Sequence, residues 1–241
     1  MKMFNQPRIL SYEDVKAIAP GTSSEPLVDV REKGSPHIVC EYEMKDMLSY
    51  TGEAMLLRVS AAERLIQAAQ DLADKMPGAR LKLAYAYRHP EVQTRYFEEQ
   101  SKKIRAENPS MLDDDINSAA HLLIAVPEVA GHPTGGAVDV TILGPDGAPL
   151  DTGTGIADFT DKERITVFSS QVSAEQRDNR MLLRGVMMSV GFAPFDGEWW
   201  HFSYGDREWA AYYGVQKALY GPIVADISGA MLRDGELPKL R

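Results

Sequence analysis

The 241 residues carry 44% hydrophobic and 25% charged side chains, the balance of a globular chain that buries a core, which excludes a disordered, collagen-like or disulfide-scaffolded protein. Lysine plus arginine number 26 against 35 aspartate plus glutamate, and the net charge of −9 has the wrong sign for gripping a phosphate backbone. The one cysteine, Cys40, cannot pair within the chain, and there is neither an apolar signal core near the amino terminus nor a run of about 18 apolar residues, so a cytoplasmic protein without nucleic-acid or membrane partners is expected.

No repeat or low-complexity linker divides the sequence, and one domain over 1–241 is expected. Ser60 and Glu63 have the spacing of a capping box, after which Leu65, Ile66, Ala69, Leu72 and Ala73 recur on one helical face until Pro77 and Gly78 stop the run. Leu81, Leu83, Tyr85 and Tyr87 alternate with Lys82, Ala84 and Ala86 as a half-buried strand ending at Arg88. Pro90 suits the first position of a helix reaching about Glu107. Asp113 to Asp115 reads as an acidic turn, and a short apolar stretch runs from His121, itself a core or helix-edge residue, to Val126. Ala137 to Leu143 reads as a strand, and residues 144–147 as a hairpin turn returning through Leu150. Ser173 and Gln176 repeat the capping box for a helix through Met181, Leu182, Val186 and Val190, closed by Gly191. Trp199 to Tyr204 is strand-like, and Asp206 caps a last helix around Trp209, Ala210 and Tyr213. Strands that mostly follow one another by hairpins, with helices before and between them, argue an α+β fold with a mainly antiparallel central sheet flanked by helices.

Two clusters carry chemistry. His132 and Asp139 stand seven residues apart across a Gly135-Gly136 turn that leads into an apolar strand, where a buried carboxylate needs a strong partner. Glu198 and His201 stand three apart around Trp199 and Trp200; in a regular strand they would face opposite sides, so either the chain bends here or one of them leaves the site. Two histidines and one carboxylate make a three-ligand set for zinc with the fourth position left to water, and the remaining glutamate is then the natural general base. Taken singly, His132 reads better as a turn residue and His201 as a hydrogen-bonded core histidine; taken together the clusters outweigh that. Neither has the helical H-E-x-x-H spacing.

The pattern His132, Gly135, Ala137, Asp139, followed about sixty residues later by Glu198, Trp200, His201, resembles the zinc D-alanyl-D-alanine dipeptidase family, the vancomycin-resistance branch of a wider group of D-alanyl-D-alanine peptidases with the Hedgehog signalling domain as a structural relative. The resemblance spans roughly residues 50–210 and takes in Tyr87-Arg88, Arg180, Leu182, Leu183, Gly191-Phe192 and Tyr204 to Arg207. It implies one zinc per chain on His132, Asp139 and His201, Glu198 as catalytic base and Arg88 stabilising the oxyanion. An arginine at a strand end offers a fixed fork of donors to developing charge, which agrees with that role.

The departures concern substrate. His89 separates Arg88 from Pro90, and Ala130 stands where the family often has serine. Ala157 aligns with the family's amine-anchoring aspartate, with Asp158 beside it as a substitute, and the family's aromatic anchor falls on Met44 near Tyr42. Trp200 is expected to line the pocket with Asp158. The expected partner is a small peptide, and nothing in the pattern specifies an oligomeric state. Two further readings stand beside a D-Ala-D-Ala dipeptidase: a carboxypeptidase or endopeptidase on longer cell-wall peptides, and a zinc-stabilised binding module without catalysis.

Overall fold

The computed structural model describes residues 7–225; residues 1–6, part of the stretch read for a signal core, and residues 226–241 lie outside the described range. In chain order the elements are α1 (Tyr12–Lys16), β1 (Leu27–Asp29), α2 (Val30–Lys33), β2 (Ile38–Cys40), α3 (Leu48–Thr51), β3 (Leu56–Arg58), α4 (Val59–Lys75), β4 (Arg80–Tyr85), α5 (Pro90–Glu107), α6 (Asp113–His121), a 3-10 turn (His132–Thr134), β5 (Ala137–Leu143), α7 (Ala174–Ser189), β6 (Ala193–Pro194), β7 (His201–Ser203) and α8 (Arg207–Tyr213). Five strands form the central sheet in the order β2-β4-β5-β7-β6, while β1 and β3 pair as a separate ribbon. The β2–β4 pair is parallel and the other central pairs are antiparallel, so the sheet is mainly antiparallel and the α+β expectation holds. The central strands are not chiefly hairpin-connected: α5 and α6 lie between β4 and β5, and α7 separates β5 from β6.

Periodicity explains the core. Ala61, Ala62, Leu65, Ala68, Ala69 and Leu72 bury one stripe of α4 against Leu81, Leu83, Val138, Val140 and Ile142 of the sheet, with α7 adding Leu183, Val186 and Met187. The capping box at Ser173 forms, Gln176 N–H donating to the serine Oγ at 3.1 Å and Ser173 N–H to the Gln176 Oε1 at 2.9 Å. The box expected at Ser60 does not. The helix begins two residues earlier, with Arg58 at the N-cap position, the Ser60 N–H is taken by the Glu25 carboxylate, and Glu63 turns to Lys33. Asp113 to Asp115 form the first turn of α6 rather than a free turn, where acidic side chains complement the helix dipole.

The end of the described chain is laced back across the molecule. Ala218 N–H donates to Ala19 O at 2.9 Å, Leu219 and Tyr220 N–H to Gly205 O at 2.7 and 2.9 Å, and Ile223 N–H to Pro133 O at 2.9 Å. Ala225 N–H then meets the Tyr87 hydroxyl at 2.9 Å. Among the described residues no helix is long and apolar enough to cross a membrane.

His121 closes α6 as a buried residue whose Nδ1 accepts the Val126 N–H at 3.3 Å beside the Tyr12 ring. Burial lowers its pKa to about 4. The folded value lies below the unfolded one, so the unfolded chain takes up a proton first as pH falls, and stability is lost between about pH 6.5 and 4. We predict that acidification from pH 7 to 5 costs about 2 kcal/mol through this group. Chemical denaturation of His121→Asn, which keeps an acceptor for Val126, is expected to lack that part of the slope; an unchanged slope refutes the assignment.

Candidate metal centre

Strand β5 is buried on both faces, and its alternation divides the labour: Val138, Val140 and Ile142 enter the core, while Asp139 looks to the opposite side. There Asp139 is the register partner of His201 on β7 and of Tyr85 on β4. The His201 Nδ1 lies 2.9 Å from Asp139 Oδ1, and His132 Nε2 lies 3.4 Å from Oδ2. The three donor atoms fall within 4.8 Å of one another, a cluster able to hold a metal ion.

His132 arrives from the 3-10 turn. Its Nδ1 is engaged by Ala86 O at 2.7 Å, which leaves Nε2 on the Asp139 side. Gly135 ends the turn at φ +74°, a left-handed conformation that favours glycine. Gly136 lies so close to the chain just past β7 that a Cβ there would sit 2.2 Å from Tyr204 O. The two glycines thus serve different needs, a reversal of direction and a close approach.

The chain bends at the second cluster. Glu198 N–H donates to Phe195 O at 3.0 Å and His201 N–H to Glu198 O at 3.2 Å, a turn that replaces the strand expected at Trp199 and Trp200 and brings Glu198 and His201 into one cleft. Trp199 packs in the core. The cleft, about 320 Å³, is lined by Arg88, His132, Asp139, Glu198, Trp200 and His201 among others, so all but one of the sequence-predicted site residues converge. The exception is Asp158. Ala157, at φ +55°, and Phe159 line the cleft, whereas the Asp158 carboxylate accepts from Thr160 N–H and Oγ1 at 3.2 and 2.6 Å, outside it. Met44 and Ala130 line the cleft; Tyr42 instead donates to Ala54 O at 2.9 Å.

Arg88 reaches the cleft through a β-bulge. Leu83 pairs with Val140 but Tyr85 with Asp139, so Ala84 is the extra residue and Tyr85 changes faces, against the alternation that would keep it with Leu83. Its ring then packs beside His132 at 5.3 Å and lies 4.5 Å from the Arg88 guanidinium, which Tyr96 flanks at 5.4 Å. Arg88 Nη1 donates to Gln93 Oε1 at 2.8 Å, and Gln93 Nε2 to Ala125 O at 2.8 Å. His89, the residue intervening before Pro90, is the N-cap of α5: its Nδ1 accepts Glu91 N–H at 3.2 Å, and its ring stacks on Tyr50 at 4.2 Å.

Burial lifts the Glu198 carboxyl to about 8, against the pull of His201. Burial opposes ionisation of Asp139 too, but His132 and His201 outweigh it and hold the carboxyl below the usual range. Sequence reasoning missed five residues here. Gln93 and Tyr96, with Gln100 and Lys103, follow helical spacing along one face of α5 and were open to that reading. Glu208, whose Oε2 lies 3.8 Å from His201 Nε2, carried no such signal.

The family described as D-ala-D-ala dipeptidase matches residues 33–218. A D-alanyl-D-alanine dipeptidase of Synechocystis sp. is 28% identical over 212 residues, 78% of this chain and 85% of that protein. A D-alanyl-D-alanine dipeptidase of Escherichia coli is 34% identical over 73 residues, 30% of this chain and 37% of that protein. Among solved structures, the LdcB LD-carboxypeptidase is similar with a TM-score of 0.46 at 17% identity, over 90% of this chain and 94% of that one. The vancomycin resistance D,D-pentapeptidase VanY in complex with Zn(II) is similar at 0.42 and 17%, over 84% and 95%.

The glycine contacts yield a prediction. In Gly136→Ala the added methyl meets a backbone carbonyl, so the turn and β7 must separate, at a cost of at least about 2 kcal/mol and with loss of the His132–His201 spacing. Thermal unfolding and metal titration are expected to report both; a variant with wild-type values in each refutes the account.

Proposed function

This chain belongs to the D-ala-D-ala dipeptidase family, and from that premise we propose that it hydrolyses D-alanyl-D-alanine or a closely similar dipeptide with one zinc ion held by His132, Asp139 and His201. The observation that carries the reading is the convergence of that ligand cluster, a buried glutamate and a buried arginine in one cleft. Two imidazole nitrogens and a carboxylate suit zinc, and three protein ligands leave a position open, as a catalytic rather than a structural site requires. When bound, zinc supplies Lewis acidity that acidifies a water and polarises the scissile carbonyl.

The chain's own groups do the rest. Glu198, as the carboxylate, takes a proton from the attacking water and passes it to the departing amine. Arg88 donates to the carbonyl oxygen as negative charge gathers on it, held in place by Gln93 and two tyrosine faces. Trp200, with Phe159 edge-on at 5.8 Å, forms an apolar wall of the cleft. The presence of both Glu198 and Arg88 weighs against a binding module, since a structural zinc site uses neither. We take the chain as one peptidase unit, and a cytoplasmic setting completes the reading, as Cys40 asks nothing of an oxidising compartment.

Hydrolysis of longer peptides is favoured by a specific observation. The cleft wall follows α5 from Gln93 to Lys103, about 15 Å of helix, whereas two extended residues span about 7 Å, and Asp158 offers no carboxylate to a free amine.

Glu198→Gln is expected to retain zinc and lose at least about 10²-fold in kcat; a near wild-type rate excludes Glu198 as the base. His201→Ala is expected to lose metal and activity together, and full zinc occupancy by elemental analysis excludes the ligand set. Steady-state kinetics on D-Ala-D-Ala beside its N-acetylated form separate the two substrate readings: preference for the free amine supports the dipeptidase, equal cleavage the broader peptidase.

A further inference from the structure

The two histidines of the cluster differ in what holds the nitrogen that faces away from Asp139. For His132 that atom is Nδ1, fixed by the Ala86 carbonyl at 2.7 Å. For His201 it is Nε2, and the group that faces it is the Glu208 carboxylate, Oε2 at 3.8 Å. We propose that Glu208 is the positioning residue of His201: it accepts the Nε2 proton, fixes the tautomer with Nδ1 unprotonated, and so aims Nδ1 at the metal beside Asp139.

Three observations carry the inference, which rests on the zinc reading above. Glu208 lines the cleft with its side chain 16% exposed, and among the described residues its ion-pair partner is His201 alone, with no lysine or arginine in range. Its Oε1 is buried without a hydrogen-bond partner, so the carboxylate is not spent on packing. The helix that presents it is firmly seated. Asp206 Oδ1 accepts Trp209 N–H at 2.8 Å, Trp209 Nε1 donates to Gly191 O at 3.0 Å, and Tyr213 donates to Phe192 O at 2.8 Å. A gap of about one ångström beyond hydrogen-bond length closes by a turn of the glutamate side chain or by one bridging water. Partners of this kind orient metal-bound imidazoles and raise their basicity, and their loss typically weakens metal binding about 10- to 100-fold.

The test is zinc affinity by chelator competition on wild type, Glu208→Leu and Glu208→Gln, with the visible spectrum of each Co(II)-substituted protein. We expect Glu208→Leu to bind zinc at least about 10-fold more weakly with an altered Co(II) spectrum, and Glu208→Gln, which keeps an acceptor oxygen, to recover most of both. Wild-type affinity and spectrum in Glu208→Leu overturn the proposal, as does a variant in which only the KM for a free dipeptide rises, which makes Glu208 an amine anchor instead. Unfolding of the metal-free proteins completes the set: equal Tm values support positioning, and a drop that by itself accounts for the lost affinity overturns it. Failure of wild type to bind zinc would strike the zinc reading, a result distinct from any of these.

Discussion

A charged carboxylate in the middle of a sheet, as at Asp139, 5% exposed, loses several kcal/mol of hydration unless positive charge or well-aimed donors replace the water. This chain answers with two imidazoles from opposite directions, His201 across the β5–β7 register and His132 from the turn that precedes β5. Much of the surrounding architecture follows from that demand. Gly135 and Gly136 let the turn close over the strand, the bend at Glu198 lets β7 begin at His201, and the Ala84 bulge turns Tyr85 toward the same point. An apolar residue at 139 would remove the need for all of these, and with it the site.

Arg88 meets the opposite problem, since a guanidinium that is to greet developing negative charge must be held without being neutralised. Its contacts are two tyrosine faces and the amide oxygen of Gln93, none of which carries a charge. One negative group lies a layer behind: Asp46 Oδ2 receives both the Tyr85 and the Tyr96 hydroxyls at 2.6 Å. The tyrosines therefore gain a fixed orientation from a carboxylate that does not itself pair with the arginine.

What could be read from the sequence was local or chemically unmistakable. Ser173 with Gln176, Pro90 at a helix start, Asp206 as a cap and the two histidine clusters announce themselves because their partners lie within a few residues or because few other uses exist for such groups together. What escaped depends on distant partners. The start of α4 is decided by Glu25, 35 residues away, against a plausible local box. The parallel pairing of β2 with β4 escapes because β2, at three residues, is too short to show a period. The face change at Ala84 is invisible in an alternation that otherwise looks regular, and the hydrogen bonds that engage the Asp158 carboxylate with Thr160 leave no periodic signal.

The lacing of residues 218–225 over the glycine turn has a bearing on how the protein is made. Pro133 is held by Ile223, and Tyr87, next to Arg88, by Ala225 at a separation of 138 residues. A ribosome delivers the chain from the amino end at about 5–20 residues per second, so the histidine turn exists for several seconds before the segment that braces it has emerged. During that interval the helices α4 and α5 can form from local contacts, but the cleft cannot be finished. Completion of the cleft is thereby tied to the synthesis of residues 218–225, and a nascent or truncated product that stops short of them carries the motif without the segment that braces its turn.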